Sequence, residues 1–169
     1  DKKHSLAQLR ERLKSIVFQK QLGTVFDKTE RIASLSEGLA AALNADTSAA
    51  KQAGQLSKAD LASDMVLEFD KMQGTAGGYY ARHEGLGEAV ANAIAEHYLP
   101  KFAGDKVPSC PTACAVALAD RLDTLTGIFG IGQMPSGSKD PFALRRASIG
   151  VLQIILQNQL AINIKEWIN

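Results

Sequence analysis

Residues 112–149 constrain the fold more than any other stretch of this sequence. Ala115, Leu118, Ala119, Leu122, Leu125, Thr126 and Phe129 recur at i, i+3, i+4 and i+7, the spacing of one face of an α-helix. Asp120, Arg121, Asp123 and Thr124 remain as a polar ledge on this apolar rod. Gly127, Gly130 and Gly132 weaken the helix, and Pro135-Ser136-Gly137-Ser138 reads as a loop that ends it. A second helix is expected to open at Asp140-Pro141, because an aspartate accepts orphan N–H groups and a proline at the first helical position loses no hydrogen bond. Phe142, Ala143, Ala147, Val151, Ile154 and Ile155 give that helix its apolar face. Lys139, Arg145 and Arg146 fall in the loop and first turns, where cations oppose the helix dipole and call for an anion. Two anions are available to the argument. One is the internal pair Asp120 and Asp123; the other is a phosphate seated on a Gly/Ser loop and a helix N-terminus.

The remaining segments also carry helical spacing. Ser5 is placed to cap a first helix with Leu6, Leu9, Leu13, Ile16 and Val17 on one stripe, running until Gly23. Asp27-Lys28-Thr29-Glu30 has capping-box spacing and opens a second helix that turns Ile32, Leu35, Leu39 and Leu43 inward. After a turn at 44–48, Thr47 or Ser48 starts a third helix, expected to run through Leu56, Ala59, Met65, Val66 and Phe69. The glycine-rich run 73–87 predicts a broken helix or shaped loop in which Tyr79, Tyr80, Arg82 and His83 cluster, either to anchor the loop or to stack on a base. Glu88 to Leu99 is a helix stopped by Pro100, and 101–111 is a connector. No stretch alternates with the period of a strand. The expectation is therefore an all-α compact bundle of about six or seven helices in a single domain, 1–169.

Composition narrows the chemistry. The 19 Lys and Arg nearly balance 18 Asp and Glu, but residues 1–31 hold eight cations against four anions, 32–134 seven against twelve, and 135–169 four against two. Basic ends that meet in space form a local surface for an anionic ligand. Cys110 and Cys114 match neither a CxxC redox motif nor a zinc knuckle and read as reduced thiols of a cytoplasmic protein. No apolar run reaches membrane-spanning length, and no membrane partner is expected. His4, His83 and His97 lack metal-ligand spacing, so each reads as an ordinary polar residue and no metal site is expected. No nucleophile context, Walker loop or GxGxxG occurs, and no catalytic residue is assigned. A chain that starts on Asp1 and ends on Trp167-Ile168-Asn169 is expected to be a piece of something longer.

The layout resembles metal-dependent phosphohydrolases of the HD superfamily, in which His, an adjacent His-Asp pair and a later Asp converge from a bundle on a divalent ion. On that pattern the first His falls near Lys28, the His-Asp pair on Ala59-Asp60 and the last Asp on Asp120. Both histidines are missing, so the resemblance implies a vestigial HD-type domain.

A more specific likeness covers nearly the whole chain in order: the runs 22–32 and 58–61, Met65 to Phe69 with Gln73-Gly74, Tyr79-Tyr80-Ala81, 98–105, Ala119 to Phe129, and Gly137 to Arg146. These segments are similar to the beta subunit of bacterial tetrameric glycyl-tRNA synthetase. That resemblance implies a class II ligase of two alpha and two beta subunits that uses ATP and magnesium, with glycine activation in the alpha subunit and no cofactor in this region. It implies that the chain is an HD-like domain from the middle of a longer beta subunit, partnered by tRNA for glycine, by the alpha subunit and by the rest of its own subunit. On this reading Lys139, Arg145 and Arg146 contact phosphates at the acceptor arm, with Arg121 as a helper and Tyr79, Tyr80 and Arg82 as further candidates. Two alternatives remain open, a residual hydrolase using Asp60 and Asp120, and a purely structural spacer in which Arg145 or Arg146 pairs with Asp120 or Asp123.

Overall fold

A computed structural model describes residues 2–168; Asp1 and Asn169 lie outside the described residues. Among these, nine α-helices and one short β-hairpin succeed one another along the chain: α1 Leu6–Arg12, β1 Val17–Gln19, β2 Gly23–Thr24, α2 Val25–Ala42, α3 Thr47–Leu56, α4 Asp64–Glu68, α5 Thr75–His83, α6 Glu88–Glu96, α7 Pro111–Gly130, α8 Leu144–Gln157 and α9 Lys165–Ile168. The all-α expectation holds, with more and shorter helices than the six or seven anticipated.

The axis of the domain is α7. Every residue from Thr112 to Ala119 is buried, and the alanines at 113, 115, 117 and 119 let α2, α3, α6 and α8 approach it closely. Ile32 and Leu39 of α2, Ile94 of α6 and Ile154 of α8 fill the spaces around it. Burying a side chain of this size contributes roughly 1.5–3 kcal/mol, so the helical stripe read from the sequence is what holds the bundle together. No helix among the described residues is long and apolar enough to cross a membrane. Cys110 and Cys114 are free thiols, as expected.

Several boundaries differ from the expected ones, each for a local reason. Ser5 caps α1 in a reciprocal capping box with Gln8, but the helix stops at Arg12 rather than at Gly23. The apolar, partly β-branched run Ile16-Val17-Phe18 leads into β1, and Gly23, at φ +87°, returns the chain antiparallel as β2, so the expectation of no strands fails here. Thr24 rather than Asp27 caps α2: its hydroxyl accepts from the Asp27 N–H while the Asp27 carboxylate accepts from the Thr24 N–H. The start of α3 at Thr47 is as expected, with Asp46 as its cap, accepting from the Ala49 N–H.

The expected long third helix is three pieces. Ser57 turns its hydroxyl back to the Gly54 carbonyl, a 3₁₀ turn spans Ala59–Ala62, and Ser63 starts α4 by accepting from the Val66 N–H. Hydroxyls that compete for backbone bonds break the ladder at both points. Phe69, the end of that expected helix, lies just past α4 and is exposed. Within the glycine-rich run 73–87, expected as a broken helix or shaped loop, residues 75–83 form the continuous helix α5 between two turns: a Cβ on Gly77 would stand 2.7 Å from Ile94 Cγ2, and one on Gly78 2.8 Å from Ala95 Cβ. Those glycines serve helix contact, not a turn. Finally, α8 opens at Leu144 behind Ala143, which sits at φ +53°, and not at Pro141. Asp140 still serves its start from outside, accepting from the N–H groups of Leu144 at 2.8 Å and Arg145 at 3.0 Å.

Candidate nucleic-acid interface and the buried cluster beneath it

The polar ledge of α7 is not a solvated face. Asp123 is buried and accepts from Lys28 Nζ at 2.8 Å and Arg31 Nε at 2.7 Å, both on α2. Asp120 accepts from Lys58 Nζ at 2.7 Å on one oxygen and stands 3.5 Å from Lys28 Nζ on the other. Lys28 also donates to Thr124 Oγ1 at 2.7 Å. Burial alone would raise the Asp120 pKa, but the Lys58 and Lys28 ammonium groups outweigh it and hold the carboxyl well below the usual carboxylate range.

Lys58 has two further contacts. Its ammonium lies 3.0 Å from His97 Nε2 and 4.1 Å above the Tyr98 ring. The other ring nitrogen, Nδ1, is 2.6 Å from the Ile94 carbonyl, which can only accept, so Nδ1 carries the proton and Nε2 turns its lone pair to Lys58. His97 is fully buried, and burial, with the Lys58 charge in second place, depresses its pKa to about 3. No spacing singles out His97, and its reading as an exposed or ordinary polar residue is corrected by its full burial against Lys58: its one available signal is a position at the end of an otherwise apolar helix, just ahead of the Tyr98-Leu99-Pro100 turn.

Of the four positions laid on the HD pattern, the structure brings Lys28 and Asp120 together. Ala59 is buried without polar function, and Asp60 points elsewhere, its Oδ2 accepting from the N–H groups of Gly74 at 2.6 Å and Gly77 at 3.0 Å. Burial pushes the Asp60 pKa up despite these two bonds. The donor set does not fit a divalent ion: ammonium groups face both Asp120 oxygens, the His97 lone pair is directed at Lys58, and no group of three or more His, Cys, Asp or Glu suited to a metal occurs among the described residues.

Arg121 lies between helices, donating from Nη1 to the carbonyls of His97 and Ala117 and from Nη2 to those of Tyr98 and Pro100, all at 3.0–3.1 Å. Its terminal nitrogens are occupied by backbone. Gly150 makes room for it, since a Cβ there would come within 2.6 Å of Arg121 Nε.

The corner formed by Lys139, Arg145 and Arg146 is different. All three are exposed, and none forms an ion pair among the described residues. The internal carboxylates that could have neutralised them belong to Lys28, Arg31 and Lys58, so pairing of Arg145 or Arg146 with Asp120 or Asp123 does not occur. Arg145 and Arg146 act on Asp140, which is held below its ordinary pKa first by the Arg145 N–H. Arg146 reaches from this corner to the mouth of a cavity of about 670 Å³ between the 70–73 segment, the turn after α6, α7 and the start of α8. Tyr79, Tyr80 and Arg82 do not join it: Tyr79 is exposed on α5, Tyr80 is buried, and Arg82 is tied to Glu88 and Asn92.

Fold and site together define an all-helical domain with a lysine–carboxylate–imidazole core beneath a cationic surface. The family model for the glycyl-tRNA synthetase beta subunit matches residues 1–169. Glycine–tRNA ligase beta subunits are 56% identical over 169 residues in Stutzerimonas stutzeri, 55% over 166 residues in Chromohalobacter salexigens and 54% over 169 residues in Colwellia psychrerythraea, covering 98–100% of this chain and 24–25% of each relative. The chain belongs to the glycyl-tRNA synthetase beta subunit family and spans about a quarter of the length of these relatives.

Proposed function

We propose that this domain is a non-catalytic, HD-type module of a longer glycyl-tRNA synthetase beta subunit, contacting the acceptor arm of tRNA while ATP- and magnesium-dependent glycylation proceeds in the assembled alpha and beta subunits. The carrying observation is the exposure of Arg145 and Arg146 without a carboxylate ion-pair partner among the described residues, beside Lys139, on a protein whose buried Asp120 and Asp123 are already paired with Lys28, Arg31 and Lys58. Cations left in solvent on a fixed helix start are available to phosphates. Tyr79 and Arg82 lie outside this corner, and Arg121 acts there only by bracing the wall behind Arg146.

Replacing Arg145 and Arg146 by Ala in the assembled synthetase is expected to weaken tRNA binding about tenfold and to lower the slope of log K against log salt by about 1.5. Unchanged affinity and slope would remove the assignment. The hydrolase alternative predicts bound metal and a turnover lost in Asp120→Asn; the lysines on Asp120 favour the non-catalytic reading.

A further inference from the structure

At the floor of the cavity Asp120 is met by Lys58 and Lys28, and Arg121 adds a third cation to its wall. At the mouth, Lys71, Lys101 and Arg146 are exposed and form no ion pair among the described residues, against Asp70 on the rim and Asp140 behind Arg146. The rim therefore carries a positive excess into one concave space. Focusing by low-dielectric walls makes such a space attractive to an anion. Asp140 already occupies the N–H groups of Leu144 and Arg145 at the start of α8, so contact with an anion must come from the side chains on the rim. One wall is apolar, formed by Phe142, Pro100 and the methyl groups of Ala143 and Ala147. A volume of about 670 Å³ is within the range of small-molecule sites.

From this combination we infer that the cavity holds one unpaired nucleotide, its phosphate on Arg146, Lys101 and Lys71 and its base against Phe142. The inference rests on the phosphate-contacting reading of the corner above and adds a site to it: Arg146 belongs to both, whereas Arg145 does not line the cavity. The same chemistry has two sources, a free nucleoside monophosphate and the phosphorylated end of an RNA strand.

The test is titration of the chain with AMP, followed by amide NMR and calorimetry, beside adenosine, inorganic phosphate and a 5′-phosphorylated trinucleotide. AMP is expected to bind saturably, to shift the amides of Thr124, Ala143 and Ala147, and to bind more tightly than adenosine or phosphate. The double variant Lys71→Ala/Lys101→Ala, confined to exposed side chains, is expected to weaken it about tenfold, and Arg145→Ala to leave it within about twofold. A trinucleotide that displaces AMP and binds tighter identifies a strand end; AMP binding that the trinucleotide does not exceed identifies a free nucleotide. No saturable AMP binding below about 10 mM, a range in which even ~4 kcal/mol of binding would register, overturns the inference, as does affinity unchanged in the lysine variant. Failure here with tRNA affinity still dependent on Arg145 leaves the proposed function standing. AMP binding with tRNA affinity indifferent to Arg145 and Arg146 has the opposite meaning.

Discussion

Lowering the pH from 7 to 5 is expected to destabilise the domain chiefly through His97, with Asp60, whose carboxyl burial pushes up, acting in the opposite sense. The His97 imidazole is fully buried with a folded-state pKa of about 3, against the ordinary value of 6.5 for an exposed histidine. At pH 7 the folded imidazole is neutral and the unfolded one only about one-quarter protonated, so the loss is about 0.2 kcal/mol. As the pH falls below 6.5 the unfolded chain protonates first while the folded imidazole stays neutral, so stability drains toward the acid side. With those two pKa values the loss reaches about 2 kcal/mol at pH 5 and approaches about 1.4 kcal/mol per pH unit below that. For a domain whose total is of order 5–15 kcal/mol, this is readily measured. Asp120 and Asp140 are held below the carboxylate range, so their contributions are lost only as the pH falls below about 4, outside the window. Cys114, pushed by burial up to about 12, titrates at the other extreme. Urea unfolding at pH 7, 6, 5.5 and 5 should show this loss toward acid in the parent chain and not in His97→Gln, whatever the variant's absolute stability. Parallel profiles in the two proteins would refute the buried, neutral imidazole.

Lys58→Met removes a donor from both Asp120 and His97, and the buried carboxylate left short of a partner is expected to cost about 3–5 kcal/mol by calorimetry; a loss below about 1 kcal/mol would mean the ammonium is not integral to the core. Gly78→Ala places a methyl 2.8 Å from Ala95 Cβ and 3.0 Å from the Ala91 carbonyl, so separating α5 from α6 should cost about 1–3 kcal/mol in urea unfolding. Ser5→Ala should cost about 1 kcal/mol by loss of the α1 cap, seen as earlier melting and faster amide exchange over residues 6–9. Cys114 should resist iodoacetamide at pH 8 in the native chain and react on unfolding.

What the sequence made legible was whatever repeats at short range. The stripes of α2 and α7, the cap at Ser5 and the service of Asp140 to the next helix all follow from neighbours within a turn or two. Lys58 shows the limit. Within its own segment it is a polar residue between α3 and a 3₁₀ turn, and its partners His97 and Asp120 lie 39 and 62 residues away, beyond the reach of any periodicity. The polar ledge on α7 was visible, but its neutralisation from α2 and from Lys58 was not, because nothing local decides which cations fold over it. Gly77 and Gly78 erred in the opposite direction: glycine signals a breaker when read alone, and a close helix contact only once Ile94 and Ala95 are known to face it.

The four carbonyls gathered by Arg121 close off one side of the cavity with a group that stays charged across the whole physiological range. The groups at its floor are equally fixed, His97 neutral and Asp120 ionised through mild acid. Acid therefore acts on the unfolded chain and not on the lining, and a ligand held by the rim would meet the same entrance and the same floor until the domain as a whole comes apart.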